Sequence, residues 1–122
     1  MKILNLIIKQ VYLEQIIAGT KRQEFREIKP TTEKKYIELD AEGYAIENEY
    51  GNSIPIHYDA IRFFVGYNKE RDSALIEVVD AHTEIVVDEN GQPISYFLED
   101  GEEYFMEQIV YDLGKVLQKN IK

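Results

Sequence analysis

The sequence contains no cysteine. It therefore cannot form a disulfide, use a thiol in catalysis or bind a metal through thiolates. It also lacks an apolar run of about 18 to 20 residues, the length that spans a bilayer. The apolar start, residues 1–9, is short, is interrupted by charge and lacks a cleavage site, so it predicts a first β-strand rather than a secretion signal. We therefore expect a cytoplasmic protein that is not associated with membranes.

Basic residues are scarce relative to acidic ones. The chain has 14 Lys and Arg against 23 Asp and Glu, which gives a formal net charge of −9. Sequence-independent nucleic-acid binding depends on many contacts between basic side chains and phosphates, so this balance disfavours it. A local basic pocket for one nucleotide is still compatible with the composition. The chain has no phosphate-binding glycine-rich loop and no nucleophile elbow, and no cofactor is predicted.

The length of 122 residues fits one domain, 1–122, and the sequence shows no linker, internal repeat or low-complexity tract. Hydrophobic periodicity and turn residues predict these elements in chain order: a strand over 3–8, a helix over 10–18, a strand over 20–28, a short helix over 31–39, two short strands around the turn at 50–52, strands over 61–67, 74–79 and 83–87, a strand over 93–98 and a last strand over 104–117. One long bent strand is the alternative for 74–87, and a helix is the alternative for 104–117. Hairpin turns are predicted at 88–91 and 100–101. The set predicts an α+β fold, a small mixed β-barrel with about two short helices at its mouth.

One charged segment stands out because it follows a predicted helix cap at Gly19. It places Lys21, Glu24 and Arg26 close together in an otherwise acidic chain. Lys21 brings three N–H donors and a point charge, and Arg26 brings a planar fork suited to phosphate or a base edge. Glu24 can accept a proton or hold either cation in position. Taken alone, such a segment is more often a solvated network of surface ion pairs.

A wider pattern resembles a known family. The residues are Lys9-Gln10-x-Tyr12, followed by Ile16-Ile17-x-Gly19-x-Lys21-x-x-Glu24-x-Arg26, with looser similarity in 67–78 and 109–117. This pattern is similar to the signature of the activating-signal-cointegrator homology (ASCH) domain and extends over essentially the whole chain. The resemblance implies a PUA-like β-barrel that binds short single-stranded RNA or a modified nucleotide.

The resemblance also implies a possible activity, because some small bacterial ASCH members are amidohydrolases that act on acetylated cytidine. Those enzymes use a Lys after the glycine, a Thr three residues later and a distant Glu. Lys21 matches the Lys, but Glu24 stands at the position of the Thr, which disfavours this activity here. The residues that could supply the distant Glu are Glu77, Glu99, Glu102, Glu103 and Glu107.

Three hypotheses follow for the function of the chain. The leading one is a nucleotide-binding or RNA-binding module. Its predicted ligand-binding residues are Lys21, Glu24, Arg26, Tyr67, Lys69 and Arg71. The second is an amidohydrolase in which Lys21 or Glu24 activates water and Arg26 stabilises the oxyanion. The third is a protein-interaction domain in which the charged segment is structural. His57 and His82 are isolated in the sequence, so no metal site is predicted.

Overall fold

The computed structural model describes residues 1–122, which form two helices and seven strands. The helices are α1 (Gln10–Ala18) and α2 (Glu33–Tyr36). The strands are β1 (Ile3–Ile8), β2 (Gln23–Ile28), β3 (Ala60–Val65), β4 (Ser73–Ile85), β5 (Ser95–Phe97), β6 (Glu103–Phe105) and β7 (Glu107–Asn120). This composition confirms the predicted α+β class with two short helices.

Five strands form one sheet in the order β1-β3-β4-β7-β2, and β5 pairs with β6 in a separate two-stranded sheet. β1 runs parallel to β3, and β3 runs antiparallel to β4. The larger sheet is open, because β1 and β2 are its end strands and are not paired with each other. The predicted closure into a barrel therefore stays a prediction.

The chain folds as two compact units, each built from separate segments of sequence. Unit 1 contains Met1–Glu24, His57–Ala81 and Tyr111–Lys122. Unit 2 contains Phe25–Ile56 and His82–Val110. No helix has the length and apolar character that crossing a bilayer requires.

Unit 1 is organised around the parallel pair of β1 and β3. Alternate residues of β1 are buried, as expected for a strand with one face on a core. In the register of the pair, Leu4 lies opposite Ile61 and Leu6 lies opposite Phe63, and all four are buried. α1 contacts β3 and buries Leu13 together with Ile16.

The end of α1 determines where the charged segment begins. Gly19 adopts a left-handed conformation with φ 83°, and its N–H donates to the carbonyl of Ile16. The N–H groups of Thr20 and Lys21 both donate to the carbonyl of Gln15, at 3.0 and 3.1 Å. Glycine tolerates this conformation without a steric penalty, so α1 ends at this cap and the charged segment begins directly after it.

Unit 2 contains two copies of one backbone arrangement. We call residues 36–56 module A and residues 84–108 module B. In module A the N–H of Glu38 donates to Ile54, that of Ile54 to Ile46, and that of Ile46 to Glu38, at 2.8, 3.0 and 3.0 Å. These three backbone hydrogen bonds close a ring that links three short extended segments.

Module B repeats the same ring with different residues. The N–H of Val86 donates to Met106, that of Met106 to Ile94, and that of Ile94 to Val86, at 2.8, 2.8 and 3.0 Å. The sequence shows no internal repeat, yet the backbone of unit 2 repeats one arrangement in these two modules. The sequence concealed the repeat because module B is longer between its second and third segments, and few identical residues remain aligned.

In the first turn of each module, one Asp side chain accepts two hydrogen bonds from the backbone. In module A, Asp40 Oδ1 accepts hydrogen bonds from the N–H groups of Glu42 and Tyr44, at 3.0 and 2.9 Å. In module B, Asp88 Oδ1 accepts from Asn90 and Gln92, at 2.8 and 3.0 Å. Asp and Asn favour turns because their side chains satisfy backbone donors two residues later.

We expect Asp40→Ala and Asp88→Ala each to lower the free energy of unfolding by about 1 kcal/mol, since each removes two side-chain hydrogen bonds from a turn. Asp40→Asn is the matched control, because Asn48 makes the equivalent pair of bonds in the second turn of module A. Urea unfolding followed by circular dichroism measures the difference. Equal midpoints for Asp40→Ala and Asp40→Asn would show that the side-chain oxygen does not stabilise the turn.

Several predicted boundaries need correction. α2 covers only Glu33–Tyr36 instead of 31–39, and residues 20–22 lie outside β2. The two strands predicted around the turn at 50–52 are isolated bridges, because the ring of module A uses single pairs rather than long ladders. The final predicted strand is two strands, β6 and β7, separated at Met106, whose backbone bonds belong to the ring of module B. The strands predicted over 74–79 and 83–87 are one continuous strand, β4, which bears out the alternative of one long strand and ends at Ile85.

Candidate functional site

The candidate site in unit 1 is centred on the ammonium group of Lys21, which has three neighbours. Lys21 Nζ donates to the carbonyl oxygen of Gln23 at 2.8 Å. It lies 3.3 Å from Glu24 Oε1 in an ion pair and 5.6 Å from the centroid of the Tyr12 ring. Two of its three N–H donors therefore have oxygen partners within the protein. The geometry holds the ammonium in place.

Glu24 is the buried member of the ion pair. Its side chain is 8% exposed and that of Lys21 is 20% exposed. The alternation of β2 explains this burial, because Glu24 points to the interior while its neighbours Gln23 and Phe25 are exposed. A solvated network of surface ion pairs would leave the carboxylate in water. The structure therefore disfavours that reading for Glu24.

The strand that carries Glu24 is tied to β7 within unit 1. Gln23 Nε2 donates to Asp112 Oδ1 at 2.7 Å, and the N–H of Leu113 donates to the carbonyl of Arg22 at 2.9 Å. These bonds hold the start of β2 against β7. As a result, both groups that contact the Lys21 ammonium through oxygen are mounted on a sheet strand instead of a free loop.

Arg26 lies two residues after Glu24 on β2 and is half-buried. It belongs to unit 2, whereas Lys21 and Glu24 belong to unit 1. The predicted sharing of one strand face by Glu24 and Arg26 agrees with the burial pattern, since Phe25 between them is 46% exposed. The role of Arg26 as a ligand contact stays a prediction.

The second predicted part of the site, residues 67–71, makes its contacts locally. Arg71 Nη1 donates to the carbonyl of Gly66 at 2.8 Å, and its guanidinium carbon lies 4.1 Å from the centroid of the Phe64 ring. Tyr67 and Lys69 are exposed. Arg71 thus has a structural use in its own loop, which sequence reasoning did not predict.

The loop and Lys21 both reach the first turn of α1, but at different residues. Gln10 Nε2 donates to Asp72 Oδ2 at 3.1 Å, whereas Lys21 lies beside Tyr12. Residues two apart on a helix do not face each other. The structure brings Lys21 together with Glu24, and the role of Arg71 as a ligand contact stays a prediction.

Two of the candidates for a distant catalytic Glu, Glu77 and Glu107, make contacts elsewhere in the chain. Glu77 Oε1 accepts from the backbone N–H of Lys115 at 3.3 Å, and Glu107 Oε1 accepts from Ser53 Oγ at 3.0 Å. Burial raises the pKa of Glu107, against the opposing effect of its hydrogen bonds from Ser53.

His57 and His82 each lie beside one carboxylate, Asp59 at 3.5 Å and Glu84 at 3.4 Å. No group of three or more His, Asp or Glu side chains is arranged to hold a metal ion.

Sequence reasoning missed Tyr12 and Asp112 as members of this site. Tyr12 forms part of the ASCH-like pattern, so a signal was present, but a tyrosine on a short amphipathic helix is ordinarily explained by packing. Asp112 gave no signal, because its link to Gln23 joins positions far apart in the chain.

No protein-family model, curated protein or solved structure matches this chain. Membership of the ASCH family therefore stays a prediction from the residues themselves.

Proposed function

We propose that this chain is an ASCH-type domain that binds a nucleotide or a short single strand of RNA. The ligand would bind in unit 1 at Lys21 and Glu24, and the fold would include the predicted PUA-like barrel. The acidic net charge of −9 favours a small ligand over a long duplex, since few basic side chains are present to contact many phosphates.

The observation that carries the proposal is the ion pair of Lys21 with a buried carboxylate. Taking charges out of water costs several kcal/mol per ion by order of magnitude, and the attraction between them often only balances that cost. Such a pair is a weak source of stability, so its presence calls for another explanation. A positioned ammonium with one donor left for a further partner supports an anchor for phosphate or for a base oxygen.

The arrangement fits binding better than hydrolysis. An amine acts as a nucleophile or base through its lone pair, and an ammonium in an ion pair has none available. Glu24 stands where the family's amidohydrolases have a Thr, and this difference also favours binding over hydrolysis. The amidohydrolase alternative therefore ranks second.

Binding is tested by titrating ¹⁵N-labelled protein with mixed-sequence RNA hexamers, the four nucleoside monophosphates and N4-acetylcytidine. We expect amide shifts concentrated at residues 19–26. Lys21→Ala should weaken binding by about tenfold, the loss expected for one charge-assisted hydrogen bond. Lys119→Ala is the matched control, because Lys119 is an exposed lysine of the same unit.

The same experiment separates the alternatives. Release of acetate from N4-acetylcytidine, abolished by Lys21→Ala, would favour the hydrolase. The absence of shifts with every compound would reject nucleotide binding for those compounds and leave the protein-interaction hypothesis. Equal affinities for wild type and Lys21→Ala would remove Lys21 from the site.

A further inference from the structure

Tyr12 is a large aromatic side chain that the core of unit 1 does not enclose. It lies in the first turn of α1, whose buried residues are Leu13 and Ile16. Tyr12 itself is 44% exposed. An aromatic ring buries a large apolar area when it packs in a core, so a half-exposed ring leaves much of that binding capacity unused.

The ring is nevertheless held in a defined position by its charged neighbour. Lys21 Nζ lies 5.6 Å from the ring centroid, within the range of a cation–π attraction. The ammonium is itself fixed by the carbonyl of Gln23 and by the carboxylate of Glu24. The Gln23 carbonyl and the Glu24 carboxylate thus hold the ammonium beside the ring. Tyr67, by comparison, is 85% exposed, so a ligand that stacked on it would have to order a more solvated ring.

We propose that Tyr12 is the base-stacking residue of the site, with Lys21 beside it to contact the phosphate or a base oxygen of the same nucleotide. Proteins that bind unpaired nucleotides combine aromatic platforms for the bases with basic groups for the backbone. Tyr12 supplies the aromatic ring and Lys21 supplies the basic group, and the ammonium lies 5.6 Å from the centroid of the ring. Stacking depends on the face of the base rather than its edge, so the ligand class is an unpaired nucleotide with little preference among bases.

This inference rests on the proposed function and adds a residue to it. The test uses the full chain, with cytidine 5′-monophosphate and a mixed-sequence RNA hexamer as probes. Loss of one base–aromatic stack predicts that Tyr12→Ala weakens binding by about 5-fold to 150-fold. Tyr12→Phe keeps the ring and should bind like wild type. Tyr50→Ala, which removes a tyrosine that is 79% exposed in unit 2, is the control.

A second readout reports on the stack directly. In the wild-type complex the base protons should move upfield and show nuclear Overhauser contacts to the Tyr12 ring protons. This readout also decides the matter if Tyr12→Ala does not fold. Wild-type binding with shifts at 19–26 but without these contacts, or with equal affinity for Tyr12→Ala, would overturn the role of Tyr12 and leave the proposed function standing. The absence of any binding by wild type would overturn both.

Discussion

Leu13→Ala is expected to lower the free energy of unfolding by about 2 to 5 kcal/mol, the range for truncating a fully buried leucine. Leu13 is 0% exposed and lies on α1, which has nine residues. Helices this short are marginal in water and depend on tertiary packing. Leu13 and Ile16 supply that packing, so the loss should be large relative to a typical total stability of about 5 to 15 kcal/mol.

The effect should extend to the candidate site, because α1 carries Tyr12 and its cap at Gly19 positions Lys21. Urea unfolding measures the stability, and amide spectra show whether resonances of residues 10–26 broaden first. Val11→Ala is the matched control on the same helix, since Val11 is 51% exposed, and it should change stability by less than about 0.5 kcal/mol. Similar losses for the two variants would show that α1 is not anchored through Leu13.

Alkaline pH is expected to destabilise the protein through Tyr104. Burial, and then the negative charge of Glu33, raises the pKa of Tyr104 from 10.0 to about 12. Its hydroxyl donates to the carbonyl of Ile28 at 3.4 Å. The folded state therefore favours the neutral phenol, and ionisation in place costs free energy.

The direction follows from the order of the two pKa values. A group whose folded pKa is higher than its unfolded pKa contributes stability below the unfolded value, here 10.0, and that contribution is lost as pH rises through about 12. A difference of about two units corresponds to about 2.7 kcal/mol. Unfolding free energy should fall across this interval by less than that amount, because Tyr104 is only partly buried and solvent screens the effect.

Tyr104→Phe should remove this part of the pH dependence. At pH 7 it should cost about 0.5 to 1.5 kcal/mol through the lost hydrogen bond. Between pH 10 and pH 12 its stability should decline less than that of wild type. Urea titrations across this range, with Tyr50→Phe as an exposed control, provide the comparison. Parallel declines for wild type and Tyr104→Phe would contradict the assignment.

The elements that were predicted well depend on neighbouring residues. The predicted bounds of β1 and α1 agree with the structure, because apolar spacing and a capping glycine act locally. The contact of Lys21 with Glu24 also depends on positions three apart in the chain. In contrast, the hydrogen bond from Arg71 to Gly66 and its packing on Phe64 were not predicted. A guanidinium can form many such contacts, and the sequence alone does not choose among them.

The sequence by itself determined the α+β class, the capped helix before the charged segment and the charge of that segment. Only the tertiary structure decided that Glu24 is buried, that Tyr12 lies beside Lys21 and that unit 2 contains modules A and B. The physical reason is the distance along the chain over which each interaction acts. Caps, turns and periodicity act over a few residues, whereas burial and ring closure depend on segments far apart in the chain, whose pairing carries no local signal.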